Sequence, residues 1–187
     1  KLPYKNIQMT LFFYVIIVVI TFIAFLHAWS KKDYDVSRTI VINQSKADIY
    51  SFVRQLKNQP KWIAKLKDSK PVKLKFKGID GKEGAMVYWK GRKNIGEGTQ
   101  KIIKVKPGHV FETKLLLVKP VEAVALTYFA SKEIQPERTK VVFGVRGYLP
   151  FPYSVISIFY SMENKFGNDF DKSLQNLKEH LEDQQNA

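Results

Sequence analysis

From Met9 to Trp29 the chain reads MTLFFYVIIVVITFIAFLHAW, twenty-one positions without a charged residue. At about 1.5 Å of rise per residue, a helix of that length crosses the roughly 30 Å hydrocarbon core of a bilayer. Tyr4 and Trp29 flank the run, where amphipathic rings favour the headgroup layer. The run is longer than the apolar core of an ordinary secretory signal and lacks a clean small-x-small cleavage site at its end. An uncleaved single-pass anchor is therefore the reading taken over a cleaved signal peptide or a buried core helix. Lys1 and Lys5 precede the run, and Lys31, Lys32 and Arg38 follow it, a difference too small to separate the two orientations. The acid-free tail tips the reading toward an exterior or periplasmic domain, with a cytoplasmic one as the alternative.

With residues 1–30 taken as tail and anchor, residues 31–187 remain as one domain. About 155 residues suffice for a single core and are crowded for two. A hydrophobic content of 45% excludes low-complexity disorder, and the absence of cysteine excludes a disulfide scaffold or a cysteine-ligated metal site. The stretch YDVSRTIVIN alternates and is rich in β-branched residues, which predicts a strand through about Ile42. Ser45-x-x-Asp48 approximates a capping box, and Ile49, Phe52, Val53 and Leu56 follow on one helical face. After Asn58 to Pro60, a second short helix carries Trp62, Ile63 and Leu66.

Strands bounded by Gly or Pro then succeed one another. Val72, Leu74 and Phe76 alternate with Lys73, Lys75 and Lys77, and further strands are read over 85–90, 96–106, 109–118, 121–132 and 138–148. Short connections at Lys106-Pro107-Gly108 and Lys119-Pro120 force antiparallel neighbours. The last third switches period. Val155, Phe159, Met162, Phe166, Phe170, Leu174, Leu177 and Leu181 recur every three or four positions, predicting one long amphipathic helix whose stripe must lie on the sheet.

This α+β order resembles the START-like or birch-pollen-allergen-like superfamily, SRPBCC, and most closely its polyketide cyclase/dehydrase-like branch. The residues that carry the resemblance are the opening RTIVINQSKADIYSFV, Trp62, Gly96-x-Gly98 within NIGEGTQKIIKV, the strand TKVVFGV and the terminal LQNLKEHLE. It covers residues 34 to 183. The resemblance implies a helix-grip fold, in which a curved seven-stranded antiparallel sheet wraps a long C-terminal helix and leaves an apolar cavity between them.

Strand parity partly supports such a cavity. Phe111, Thr113, Leu115 and Leu117 share one face against Glu112 and Lys114, while Val121, Ala123, Ala125, Thr127 and Phe129 oppose Glu122 and Lys132. Two alanines and a threonine supply little volume in the middle of an inward face. Residues expected around a ligand are Trp62, Trp89, Lys101, Phe111, Thr113, Leu115, Ala123, Ala125, Thr127, Phe129, Phe143, Phe159, Met162 and Phe166. The plainer alternative is that Phe159, Met162 and Phe166 fill the space, and that Trp62 and Trp89 are core or rim residues. Lys101 shares parity with Ile103 and Val105, and so reads as inward, opposite to Gln100, Lys104 and Lys106. Otherwise it is a lysine snorkelling from a wet strand end. Arg38, in phase with Val36, Ile40 and Ile42, has the same two readings. Gly167 either bends the terminal helix away from the sheet or permits close contact with it.

Residues 31 to 160 hold 26 basic and 11 acidic side chains, so the sheet is the positive part of a dipolar chain. Lys73, Lys75 and Lys77 form a comb, with Lys65, Lys67, Lys70, Lys82, Lys90, Arg92 and Lys93 nearby. Beside a bilayer this comb suits anionic lipid headgroups, and otherwise it is a solvated face that protects an edge. Nucleic acid is disfavoured for want of any reading motif. His27, His109 and His180 stand apart, no metal-ligand spacing occurs, and no cofactor fingerprint is present. Glu97, Lys101, Tyr128, Tyr160 and Glu163 are the polar residues an enzyme of the cyclase/dehydrase kind would draw on. The sequence thus points to a membrane-tethered module binding a lipid or other hydrophobic small molecule. The alternatives are such an enzyme, or a basic interaction module with no ligand.

Overall fold

A computed structural model describes residues 3–68, 72–91, 95–119, 122–159 and 161–184, with side chains for all of these but residues 3–6 and 165. Lys70, Arg92, Lys93, Val121, Tyr160 and the Lys119-Pro120 connection lie outside the described residues. The chain divides into two compact units, Tyr34–Tyr148 with Met162–Ala187 and Lys1–Asp33 with Leu149–Ser161. Thirteen residues before the terminal helix thus join the N-terminal unit.

The larger unit is a helix-grip fold. Strand β1 (Asp33–Ile42) leads into α2 (Lys46–Val53), whose start is fixed as the sequence implies: the Asp48 amide donates to Ser45 Oγ at 3.1 Å, and Ser45 Oγ donates back to Asp48 Oδ2. A 3-10 turn (Leu56–Asn58) and the short helices α3 (Gln59–Trp62) and α4 (Ala64–Asp68) follow. Asp80 holds that turn in place by accepting from the amides of Leu56 and Lys57 at 2.8 and 3.1 Å. Six strands come next: β2 (Lys73–Lys77), β3 (Met86–Lys90), β4 (Glu97–Lys106), β5 (Val110–Lys119), β6 (Ala123–Gln135) and β7 (Arg138–Tyr148). They pair antiparallel in chain order, and β1 closes on β7 to give the order β1-β7-β6-β5-β4-β3-β2.

Helix α6 (Met162–Asp183) lays Phe170, Leu174, Leu177 and Leu181 against the inward face of the sheet, where Ile42, Ile102, Phe129 and Val141 are buried with Ile49, Leu56 and Trp62. Gly167 serves close contact. A Cβ there would lie 2.1 Å from Arg38 Nη2, because the guanidinium of β1 rests on the helix at this point and pairs with Glu163 and Asp171 on either side. Arg38 is therefore inward in phase, as read, but belongs to a latch between sheet and helix. The two glycines at the start of β4 have separate reasons. Gly96 turns with φ +70, and Gly98 leaves room for the Trp89 ring, which a Cβ would meet at 2.5 Å.

In the smaller unit, α1 (Pro3–Trp29) is long and apolar enough from Ile7 to Trp29 to span a membrane. The expected long terminal helix is interrupted. Residues Tyr153–Ile156 form a separate turn of helix, α5, and residues 157–159 and 161 are non-helical before α6 begins. Val155 and Phe159 continue the three-to-four spacing of α6 across that break, which is why the sequence reads as one helix.

Candidate functional site

The inward face of the sheet carries the small residues that parity placed there, yet the space beside them is largely taken. The Trp62 ring stands edge-on to Phe129 and Phe143, at centroid distances of 6.5 and 5.1 Å, and Phe143 in turn meets Phe170 at 4.7 Å. A cavity of about 10 Å³ remains, the size of one water molecule, lined by Val53, Gln59, Trp62, Gln100, Phe111, Thr127, Tyr128, Phe129 and Phe143. Among the described residues, the space expected beside Ala123, Ala125 and Thr127 is thus narrowed by aromatic rings reaching across from α3 and α6.

What remains is polar at one corner. Gln100 Nε2 donates to Thr113 Oγ1 at 2.8 Å, and Thr113 Oγ1 stands 2.6 Å from Thr127 Oγ1, so a chain of hydrogen bonds crosses β4, β5 and β6. Either hydroxyl can donate in the Thr113–Thr127 pair, and when Thr113 donates, the Thr127 hydrogen is left for the cavity. Trp62 supplies a second donor. Its Nε1–H is buried and has no hydrogen-bond partner among the described residues, while the residue itself is only 2% exposed. A buried N–H left unpaired costs on the order of 1–3 kcal/mol, so its presence calls for a reason.

Trp62 is held there by main-chain anchors. Asn176 of α6 donates its side-chain amide to the Trp62 carbonyl at 3.2 Å, the Ala64 amide donates to Ser173 Oγ at 2.9 Å, and Lys67 Nζ reaches Asn176 Oδ1 at 3.0 Å. These contacts fix the short helices to α6.

Of the residues expected around a ligand, Trp62, Phe111, Thr127, Phe129 and Phe143 line the cavity, and Thr113 stands one hydrogen bond behind it. Leu115, Ala123, Ala125, Met162 and Phe166 lie buried or half-buried without lining it. Trp89 packs on Gly98 and donates Nε1–H to the Ile95 carbonyl at 3.4 Å. Phe159 is 78% exposed and belongs to the N-terminal unit.

Lys101 points out of the sheet, and Gln100 points in, the reverse of the parity assignment. The reason is a bulge between Ile102 and Lys104, where the register with β5 slips by one residue. Counting back from Val105 through that extra residue puts every earlier side chain on the wrong face. Val53, Gln59, Gln100 and Tyr128 are the lining residues absent from the set expected around a ligand, and for Gln100 the reason is the bulge, which leaves no mark in the local composition.

Of the polar residues an enzyme would draw on, the described ones, Glu97, Lys101, Tyr128 and Glu163, do not converge. Tyr128 donates its hydroxyl to Asp35 on the outer face, which raises its pKa along with burial, the larger cause. Glu97 accepts from Tyr88 there, and that hydrogen bond holds its carboxyl below the usual range, with Lys90 adding to the effect. Glu163 is in the Arg38 latch.

Outside, the comb of Lys73, Lys75 and Lys77 is exposed as expected, and the register extends it. Lys77, Met86, Lys101, Lys114, Leu126 and Arg146 stand in one row across five junctions of β2 to β7. Lys101 and Lys114 are directly opposite with no carboxylate partner among the described residues, an arrangement that costs stability.

No family model and no curated protein matches the sequence. Solved structures share its fold. The di-domain ARO/CYC StfQ from the steffimycin biosynthetic pathway superposes with TM-score 0.64 at 9% identity, over 83% of this chain and 53% of that one. A protein from Nitrosospira multiformis gives 0.57 at 14% identity, covering 78% of this chain and 94% of that one. The Aha1 dimer protein from Colwellia psychrerythraea gives 0.51 at 15% identity with the same two coverages. At these identities the likeness is one of fold.

Proposed function

We propose that this chain is a membrane-anchored helix-grip domain that binds a hydrophobic small molecule carrying one hydrogen-bond-accepting oxygen, such as a ketone or an ester. The observation that carries the reading is the buried Nε1–H of Trp62, unpaired among the described residues, on a side chain that lines the same small cavity as Thr127. A cavity walled mainly by aromatic rings, with Trp62 and Thr127 in its lining, suits a carbonyl oxygen entering polar end first. A guest larger than water turns aside rings at the less buried end of the cluster, where Phe166 and Met162 are only partly covered. Each methylene buried contributes about 0.8 kcal/mol, so three or four offset the loss from one fully displaced ring. The likeness to an ARO/CYC protein supports a carbonyl-bearing guest by analogy of fold. Anchoring by α1 places the domain at a bilayer, on the exterior or periplasmic side in this proposal, and the lysine row supplies attraction to anionic headgroups.

The test uses the full chain in nanodiscs and a matched pair of probes, 2-acetylnaphthalene and its methylene isostere 2-isopropenylnaphthalene. A net hydrogen bond of about 0.5–1.5 kcal/mol predicts that the ketone binds roughly two- to twelvefold tighter. Trp62→Phe should bring the ratio close to one while keeping the isostere's affinity. Equal binding of the two probes by the unsubstituted protein, or binding of neither, refutes the proposal.

A further inference from the structure

We infer that residues Leu149–Phe159 form a second membrane contact, a short segment lying in the headgroup and upper acyl region alongside the C-terminal end of α1. This rests on the reading of α1 as a membrane span. Three observations carry it, all within the N-terminal unit.

The first is position. His27 Nδ1 lies 2.8 Å from Ser154 Oγ, and the His27 ring meets Phe151 edge-on at 5.5 Å. His27 is two residues from the end of α1, so at about 1.5 Å per residue it sits within one helical turn of the span's boundary. The segment packed on it shares that depth, where Trp29 is also exposed.

The second is the surface. Phe151, Tyr153, Ile156, Ile158 and Phe159 are 57, 38, 52, 43 and 78% exposed, and no charge occurs in the sequence between Arg146 and Glu163. Exposed apolar groups concentrated in so short a stretch mark a surface made for an apolar neighbour, and aromatic side chains favour the membrane interface.

The third is the backbone. Amides 154 to 159 all donate to carbonyls within the segment, at 2.9 to 3.2 Å. Ser157 Oγ donates to the Ser154 carbonyl at 2.7 Å, and Ser154 Oγ is occupied by His27. Polar groups closed on one another while side chains point outward is what contact with lipid demands, since hydrocarbon offers no replacement partner. A loop made for water has no such need.

The segment is joined covalently to β7 on one side and α6 on the other. The globular unit is therefore held at the bilayer by this connection as well as by the link from α1 to β1.

The chain lacks cysteine, so single cysteines report unambiguously. Full-length Ile156→Cys and Phe159→Cys proteins carrying an environment-sensitive fluorophore are reconstituted in vesicles, beside Ile20→Cys as an in-bilayer reference and Lys140→Cys as an aqueous one. Quenching by lipid-attached nitroxide should be strong at 156 and 159, and iodide quenching should fall from the Lys140 level to near the Ile20 level. Iodide quenching equal to that at Lys140, with Ile20 shielded, overturns the inference and leaves the anchor standing. Labels at 156 and 159 shielded from both quenchers indicate a protein cover and overturn it too. If Ile20 itself is open to iodide, the span and the inference fall together.

Discussion

Replacing Gly167 by alanine isolates the contact that joins sheet to helix. In the interior of a helix this change is ordinarily stabilising by about 1 kcal/mol, because glycine surrenders more backbone freedom on folding. Here the added Cβ would stand 2.1 Å from Arg38 Nη2, against an ordinary contact distance of 3.4 Å or more. The guanidinium must retreat by the difference. That is enough to carry Arg38 Nε beyond hydrogen-bond reach of Asp171 Oδ2, now at 3.0 Å, and to loosen the pair with Glu163. Arginine is long and the atom in the way is its tip, so the protein still folds, but the propensity gain is spent on the lost latch. Gly167→Ala alone should therefore leave stability near its starting value. In an Arg38→Ala background nothing opposes the Cβ, and the same substitution should recover most of the ~1 kcal/mol. The assay is urea unfolding of the full chain in mild detergent, followed by tryptophan fluorescence. A gain from Gly167→Ala that is the same in both backgrounds refutes the reasoning, since Arg38 would then have no contact with the helix at that point.

Two further outcomes follow from the charged groups. Burial, and then the neighbouring Lys61 and Lys67, lower the pKa of His180 on α6, with Asp183 opposing, while its ring packs on Phe52 of α2 at 5.0 Å. The unfolded chain accepts this proton near pH 6.5 and the folded one resists it, so stability is full above about pH 6.5 and declines as pH falls below it. Thermal midpoints measured between pH 7.5 and 5 should therefore drop less steeply in His180→Gln, and an unchanged slope refutes the assignment. The lysine row makes a claim about lipid: in nanodiscs, exchanging zwitterionic for anionic lipid should raise energy transfer from a donor at Lys75→Cys to a headgroup acceptor dye. Lys77→Glu, Lys101→Glu and Lys114→Glu together should abolish the rise, and a rise that survives them removes the row from the interface.

How far the sequence discloses this protein depends on which residues set the period. The exposed lysines and half-buried Leu74 of β2 follow the alternation read from sequence, although Phe76 is itself exposed, and Ser45 with Asp48 discloses the start of α2. In β4 the alternation fails at one residue. Ile103 is the extra member of a bulge, and a period of two has no memory across an insertion, so Gln100 and Lys101 exchange faces with no change in local composition. Trp62 could be singled out as a large aromatic near a short helix, but not as an unpaired donor. That property is set by Ser173, Asn176, Phe129 and Phe143, residues 67 to 114 positions away that hold its backbone and ring.

The break before α6 was more legible than the spacing of its apolar residues suggests. Val155 and Phe159 extend the stripe of Met162, Phe166 and Phe170 without a slip in phase, so the apolar face alone predicts one helix. A helix lying on a sheet also needs a polar face for water. From Glu163 onward that face is present, in Asp169, Asp171, Lys172, Glu179 and Asp183. Before Glu163 it is missing: positions 147 to 162 offer only serine, tyrosine, glycine and proline as relief from hydrocarbon. An apolar stripe with no opposing charge has no wet side. The same absence that rules out a water-facing helix there is what fits residues 149–159 for the company of α1 and, on the inference drawn above, for lipid. The side that an amphipathic reading leaves unexamined is thus the one that separates the two units of the fold.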